Sequence, residues 1–336
     1  MAQPLTVEWP FLPSIETFAA ARRPIILPWG PTALPVGTAF SSKNSSARRG
    51  PFLPQSAFDK VALAQTQLVY EASPNGGNYH EVVTTSNSNT YEHTSVSLGV
   101  SIGGSFLGGS VSGEYDKLVL ENTDTNKISQ SASIRMGQIC LAEEPALSKD
   151  ARDVLSKGGF LAFQSAYGDY YVAGFSLGAD SGICLSFSEN DRSESESLRI
   201  TVTVKFLFMS ASHTWSDSSA SALQNISMEL NGYDTLTGSN IKTSTHGPNG
   251  LQSLRQDAAQ ITARDTSIAR DVASRLQSLG VKDKGLLGMR DMPQLQASQL
   301  VVEVLLLPWT GISEVASFLP SDWHIQQVKR FLLPCE

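Results

Sequence analysis

Two stretches of this chain alternate between apolar and polar positions. In Leu198–Phe208 (LRITVTVKFLF), Leu198, Ile200, Val202, Val204, Phe206 and Phe208 fall on one side, against Arg199, Thr201, Thr203 and Lys205 on the other. In Thr94–Gly113 (TSVSLGVSIGGSFLGGSVSG), Val96, Leu98, Val100 and Ile102 alternate with Ser95, Ser97, Gly99 and Ser101, until the phase slips at Phe106 and Leu107. A period of two puts every apolar side chain on one face of a β-strand. That face either covers half of a protein core or meets lipid while the opposite face lines water. The slip at Phe106-Leu107 predicts a bulge or a hairpin tip. Weaker alternation continues through Ile128, Ala132, Ile134 and Met136, and through Ile226, Met228 and Leu230.

The remaining elements follow from other periods. Val61–Ala72 reads as a first strand, Pro74–Asn78 as a turn, and Tyr79–Met136 as a long β region. Pro145–Gln164 reads as a helix interrupted at Gly158-Gly159. Strands return at Tyr170–Leu177, Ile183–Phe187 and Gln299–Leu307. Leu254, Ala258, Ile261, Ile268, Val272 and Leu279 form a stripe at helical spacing, so Leu251–Leu279 is a long helix with Gly280 as its stop. A short helix is expected at Asp322–Phe331. Residues 1–60 hold repeated prolines (VEWPFLP, RRPIILPWGPTALPVG), which bar a regular helix or a central strand. The chain therefore divides into a Pro-rich N-terminal wrap (1–36), a principal domain (37–310) and a C-terminal appendage (311–336).

Composition narrows the function. The 336 residues carry a net charge of −7 with only 17% charged residues, which argues against nucleic-acid binding. Cys140, Cys184 and Cys335 are far apart, without zinc or CxxC spacing, and read as thiols rather than a disulfide framework. The five histidines are scattered and none pairs at metal spacing; His80 and His93, which flank a β run and could meet across a hairpin, read as surface residues. No nucleophile elbow, zinc-protease motif or phosphate loop stands in a strand-turn-helix setting, so neither an enzyme nor a cofactor is expected. The N-terminus lacks the basic start and apolar core of a secretory signal. A cytoplasmic soluble protein or non-classical release is expected, followed by action at a target-cell membrane. No apolar run reaches 18 residues, so any membrane role falls to amphipathic strands.

The run FLAFQSAYGDYYVAGFSLGADSG resembles the signature of the membrane-attack-complex/perforin superfamily, in the form of its fungal and other non-vertebrate members. Tyr167, Gly168, Tyr170 and Tyr171 stand at the aromatic turn, and Gly174, Gly178 and Gly182 at the strand glycines. Asp169 and Tyr170 occupy the place of a frequent histidine. Asn231-Gly232, in MELNGYDTLTG, stands where a strand runs into a glycine pair. The resemblance spans roughly Gly37 to Leu307 and implies an α+β fold: a bent, twisted four-stranded antiparallel sheet flanked by helical clusters that convert to β-hairpins. It implies a pore-forming toxin, defensive or insecticidal, that binds a target-membrane lipid or receptor, assembles as a homo-oligomeric ring and inserts two hairpins per subunit. The first cluster, about Gly99 to Asn126, is short for that family. A small lipid-binding partner protein is a further expectation. The alternatives are an aerolysin-like pore former with a single hairpin and a non-lytic binding protein on the same fold.

Overall fold

The computed structural model describes residues 15–29, 34–45, 50–84, 93–94, 111–124, 126–187, 227–246 and 248–319. Among these, ten strands join one open antiparallel sheet: β1 (Ile25–Pro28), β2 (Ala39–Phe40), β3 (Gln67–Ala72), β4 (Asn78–Thr84), β5 (Asn126–Leu141), β6 (Tyr170–Phe187), β7 (Ser227–Asp234), β8 (Ser239–His246), β9 (Leu286–Gly288) and β10 (Val301–Pro308). The fold is mixed helix and strand, with ten strands where four were expected.

β5 and β6 form the spine, paired from Asn126–Phe187 down to Cys140–Gly174. Their outer partners change partway along. β5 pairs with β3 below Gly137 and with β4 above Arg135. β6 pairs with β10 up to Leu177 and with β7 from Ser181. The change coincides with a register shift in β5 between Arg135 and Gly137 and one in β10 between Val301 and Glu303. A residue inserted into one strand of a pair bends it and raises its local twist. β1 pairs with the outer side of β10, so part of the expected N-terminal wrap extends the sheet.

Helices cover both faces. α5 (Pro248–Ser278) lies along one face, where its Ala258 and Ile261 pack with Ile128, Ile183, Leu185 and Leu230. Further along, its Ile268 and Val272 pack with Ile134, Phe175 and Leu177. On the opposite face, α3 (Val111–Glu121) covers the upper half and α4 (Lys149–Tyr167) the lower. This double cover explains why every residue of β6 is buried. The strand is therefore continuous from 170 to 187, not two strands. α4 starts at Ser148, whose Oγ accepts from the Ala151 N–H at 3.1 Å, and it is kinked at Gly159 (φ 66°). The smaller helices are α1 (Ile15–Ala20), α2 (Lys60–Gln65), α6 (Met292–Ala297) and α7 (Ser313–Ala316).

Three expectations change. Residues 60–65 form α2 instead of the start of a strand, because Asp59 Oδ1 accepts from the N–H groups of Val61 and Ala62 and nucleates a helix. The long β region is broken by α3, whose Tyr115 and Val119 are one turn apart and both buried. His93, expected at the surface, is 1% exposed, with Nδ1 2.8 Å from the Ser129 Oγ. The short helix expected at 322–331 lies outside the described residues, as does Cys335. Among the described residues, no helix is long and apolar enough to cross a membrane.

Candidate functional site

The distinctive geometry is at one edge of the sheet. Thr84 of β4 pairs with Ser129 of β5, Asn126 of β5 with Phe187 of β6, and Phe187 with Met228 of β7. Four successive strands thus end side by side. Two long connections leave from that same edge, 85–125 and 188–226. The twelve apolar residues singled out in the sequence, Val96, Leu98, Val100, Ile102, Phe106 and Leu107, and Leu198, Ile200, Val202, Val204, Phe206 and Phe208, belong to these connections and lie outside the described residues.

The signature residues are described, and they do two different things. The aromatic turn is a rigid packing centre. Trp309 is fully buried, donates from Nε1 to the Tyr167 carbonyl at 3.1 Å, and stacks against Tyr171 with ring centroids 4.6 Å apart. Phe58 and Phe163 close the cluster at 5.0 and 5.5 Å. Tyr170 points to the other face and donates to the Arg23 carbonyl at 2.9 Å. Gly168 joins α4 to β6 with φ +72°, and a Cβ there would collide with the Phe40 carbonyl, so only glycine fits. Asp169, at the histidine position, accepts from the N–H and the hydroxyl of Ser42.

The strand glycines mark places where neighbours come close. A Cβ on Gly174 would strike the Ile139 carbonyl, and one on Gly178 the Ile134 carbonyl. Gly182 lies under the ring of its cross-strand partner Tyr233, and Gly232 under Ile261 of α5. Asn231-Gly232 is in the middle of β7, not at a turn; the turn follows at 235–238. The resemblance implied that the strand runs out at this pair, but β7 continues to Asp234, with Gly232 packed against Ile261 of α5.

Between Gly178 and Gly182 sits Asp180, where β6 changes partners. Arg135 Nη1 and Nη2 donate to its two carboxylate oxygens at 2.6 and 3.2 Å, and Arg135 Nε donates to Glu303 Oε1 at 2.9 Å. One guanidinium therefore ties β5, β6 and β10 together beside both register shifts. Burial pushes the Asp180 carboxyl above its ordinary range, while Arg135 pulls it down and Glu303 raises it further. Burial also works against the Arg135 charge, but the two carboxylates hold it firmly protonated. This trio spans distant sequence positions and was not anticipated.

α3, inside the first connection, is docked on the upper sheet. Tyr115 is 2% exposed, stacks on Tyr233 with centroids 4.6 Å apart, and donates to the His93 carbonyl at 3.1 Å. Val119 and Cys184 complete the buried cluster. Glu114 accepts from Asn240 Nδ2 of β8 at 2.8 Å. Burial pushes the Cys184 thiol up to about 12, with smaller opposing effects of Lys127 and of Glu229 and Asp124. Among the described residues, no group of three His, Cys, Asp or Glu side chains is arranged to hold a metal.

No protein-family model and no curated protein matches the chain. Solved structures do. Wild-type pneumolysin aligns with 85% of this chain and 60% of its own at a TM-score of 0.38 and 8% identity. Stonustoxin aligns with 85% of this chain and 32% of its own at 0.35 and 9%. The cytotoxin suilysin from Streptococcus suis aligns with 85% and 60% at 0.32 and 12%. The chain thus spans less than two thirds of the length of each.

Proposed function

We propose that the chain is a pore-forming protein whose two connections, 85–125 and 188–226, rearrange into β-hairpins. The observation that carries this reading is the shared edge. Extending the β4–β5 and β6–β7 ladders beyond Thr84, Asn126, Phe187 and Ser227 yields two hairpins in one sheet without a change of topology. Each connection is long enough for two membrane strands of about 9–11 residues. The alternating residues within them supply one apolar face. Strands in lipid must pair every backbone group, so the hairpins require a closed barrel made from many copies. The perforin-like signature in Tyr167–Gly182 supports the same reading. In it the chain binds a membrane lipid or receptor, assembles as a ring, and acts as a toxin of defensive or insecticidal character.

The test is dye release from liposomes of target-cell lipid, with electron microscopy of the same samples. Leakage with rings supports the proposal. Rings without leakage point to a non-lytic attachment role. Absence of both, with and without a small lipid-binding partner and on whole target-cell membranes, overturns it. Val202→Asp and Val204→Asp test hairpin number. Charge on the lipid face costs about 2–4 kcal/mol at the midplane for basic residues and less for acidic ones. Two-hairpin insertion predicts lost leakage; an unchanged level leaves a single hairpin, of the aerolysin-like kind, around Thr94–Gly113.

A further inference from the structure

The corner where α3 ends and β5 begins is closed by a ring of polar contacts. Asn122 Nδ2 donates to the Ser186 Oγ at 2.8 Å. Ser186 Oγ donates to Asp124 Oδ2 at 2.7 Å. The Asp124 N–H donates back to Asn122 Oδ1 at 2.9 Å. Lys127, 4% exposed, lies beneath the ring and donates from Nζ to the carbonyls of Asn122 and Asp124 at 3.1 and 2.6 Å. Its cation thus sits at the helix C-terminus, where the orphan carbonyls favour positive charge. Ser186 belongs to β6 and is 1% exposed, and it is the register partner of Lys127. The ring therefore fastens the end of α3 to a strand on which the helix itself has no covalent hold.

We propose that Asn122, Asp124, Lys127 and Ser186 form a clip that sets the threshold for releasing α3 from the sheet. The inference rests on the pore-forming reading in one respect: release matters because residues 111–124 must straighten to prolong β5. The geometry gives the clip its effect. As long as the ring is closed, the chain at Asn122–Asp124 folds back on the Lys127 ammonium and cannot continue the β5 ladder. Once one donor is lost, the other contacts lose their mutual support, because each group in the ring both gives and receives. The clip holds the C-terminal end of the helix, and the aromatic contact of Tyr115 holds its middle.

Cys184 supplies a reporter independent of membranes, since it lies beneath α3 beside Tyr115 and Val119. In full-length protein carrying Cys140→Ala and Cys335→Ala, its reaction with a maleimide reads the lifting of α3. Ser186→Ala removes two hydrogen bonds, so labelling is expected to accelerate about 10- to 100-fold at denaturant concentrations well below global unfolding. Lys127→Met is the second variant and should act in the same direction. Ser56→Ala, which likewise removes two hydrogen bonds, one donated to the Gly37 carbonyl and one accepted from the Phe58 N–H, away from α3, is the control. If Ser186→Ala and Lys127→Met label no faster than Ser56→Ala, the clip is refuted. If they label faster while no variant permeabilises liposomes or forms rings, the clip stands and the pore reading falls. If liposomes leak but labelling is unchanged, the pore reading stands and the clip falls.

Discussion

Replacing Arg135 with Met isolates what the buried trio does at the partner change of β6. The variant takes away both hydrogen bonds to Asp180, whose side chain is 6% exposed, and the bond to Glu303, at 19%. Removing one member of a buried ion pair costs about 3–5 kcal/mol, because the other charge is left without compensation. The partial exposure of Glu303 argues for the lower figure. A loss of about 3 kcal/mol lowers the melting temperature by about 6 °C, taking about 2 °C per kcal/mol for a chain of this size. The pH dependence fixes the cause. In the native protein burial already raises the Asp180 carboxyl, and Arg135 is what pulls it down. Without Arg135 it rises further. A carboxyl with a folded pKa above its unfolded value takes up a proton on folding, so its cost is complete above the folded pKa and fades as pH falls towards the unfolded one. The gap in melting temperature between wild type and Arg135→Met should thus be widest well above the ordinary carboxylate range and shrink as pH falls towards it. Circular-dichroism melts across that range read it directly. A gap that is constant, or that widens on acidification, refutes the electrostatic account and leaves Arg135 a packing role. The neutral triple variant Arg135→Met, Asp180→Asn, Glu303→Gln should regain part of the loss at the higher pH.

Three further outcomes follow from the same geometry. Tyr115→Ala deletes a buried aromatic ring, a loss of about 3–5 kcal/mol in protein cores, plus about 0.5–1.5 kcal/mol of ring contact with Tyr233; amides of 111–121 should exchange with deuterium at least about 100-fold faster while those of β5 and β6 change much less, and a uniform increase would show that α3 is no separate unit. Gly178→Ala pushes a methyl into the Ile134 carbonyl and should cost about 1–3 kcal/mol or more in chemical denaturation, whereas Gly311→Ala, with nothing within 4 Å, should be nearly silent. Burial pushes both the Cys140 and the Cys184 thiol up to about 12, so iodoacetamide at about pH 8 meets only about one thiolate in ten thousand and should modify neither until the fold opens; rapid reaction of either would mean that the strand carrying it is not covered.

What was legible in the sequence depended on whether a local period carried the information. Ile128, Ala132 and Ile134 alternate because β5 buries one face against α5, and they fall in β5 as read. The stripe Ala258, Ile261, Ile268, Val272 is the buried face of α5, and the stop at Gly280 has φ +71°. The spacing of Val111, Tyr115 and Val119 by four is helical, yet the serine-glycine alternation immediately before it reads as a continuing β region; only the resemblance implied a helical cluster there, over about Gly99 to Asn126. β6 was divided in two because Gly178 and Gly182 look like breaks; covered on both faces, a strand needs no alternation, and there glycine lets neighbouring groups approach. The polar groups were the least legible. Arg135 meets residues 45 and 168 positions away, and Ser186 meets Asn122 across 64. A hydrophobic period records which face is covered but not what covers it. Pairings between buried polar groups follow only once the sheet register is fixed, and here that register places one such cluster at the change of strand partners and another at the helix end beside the first connection.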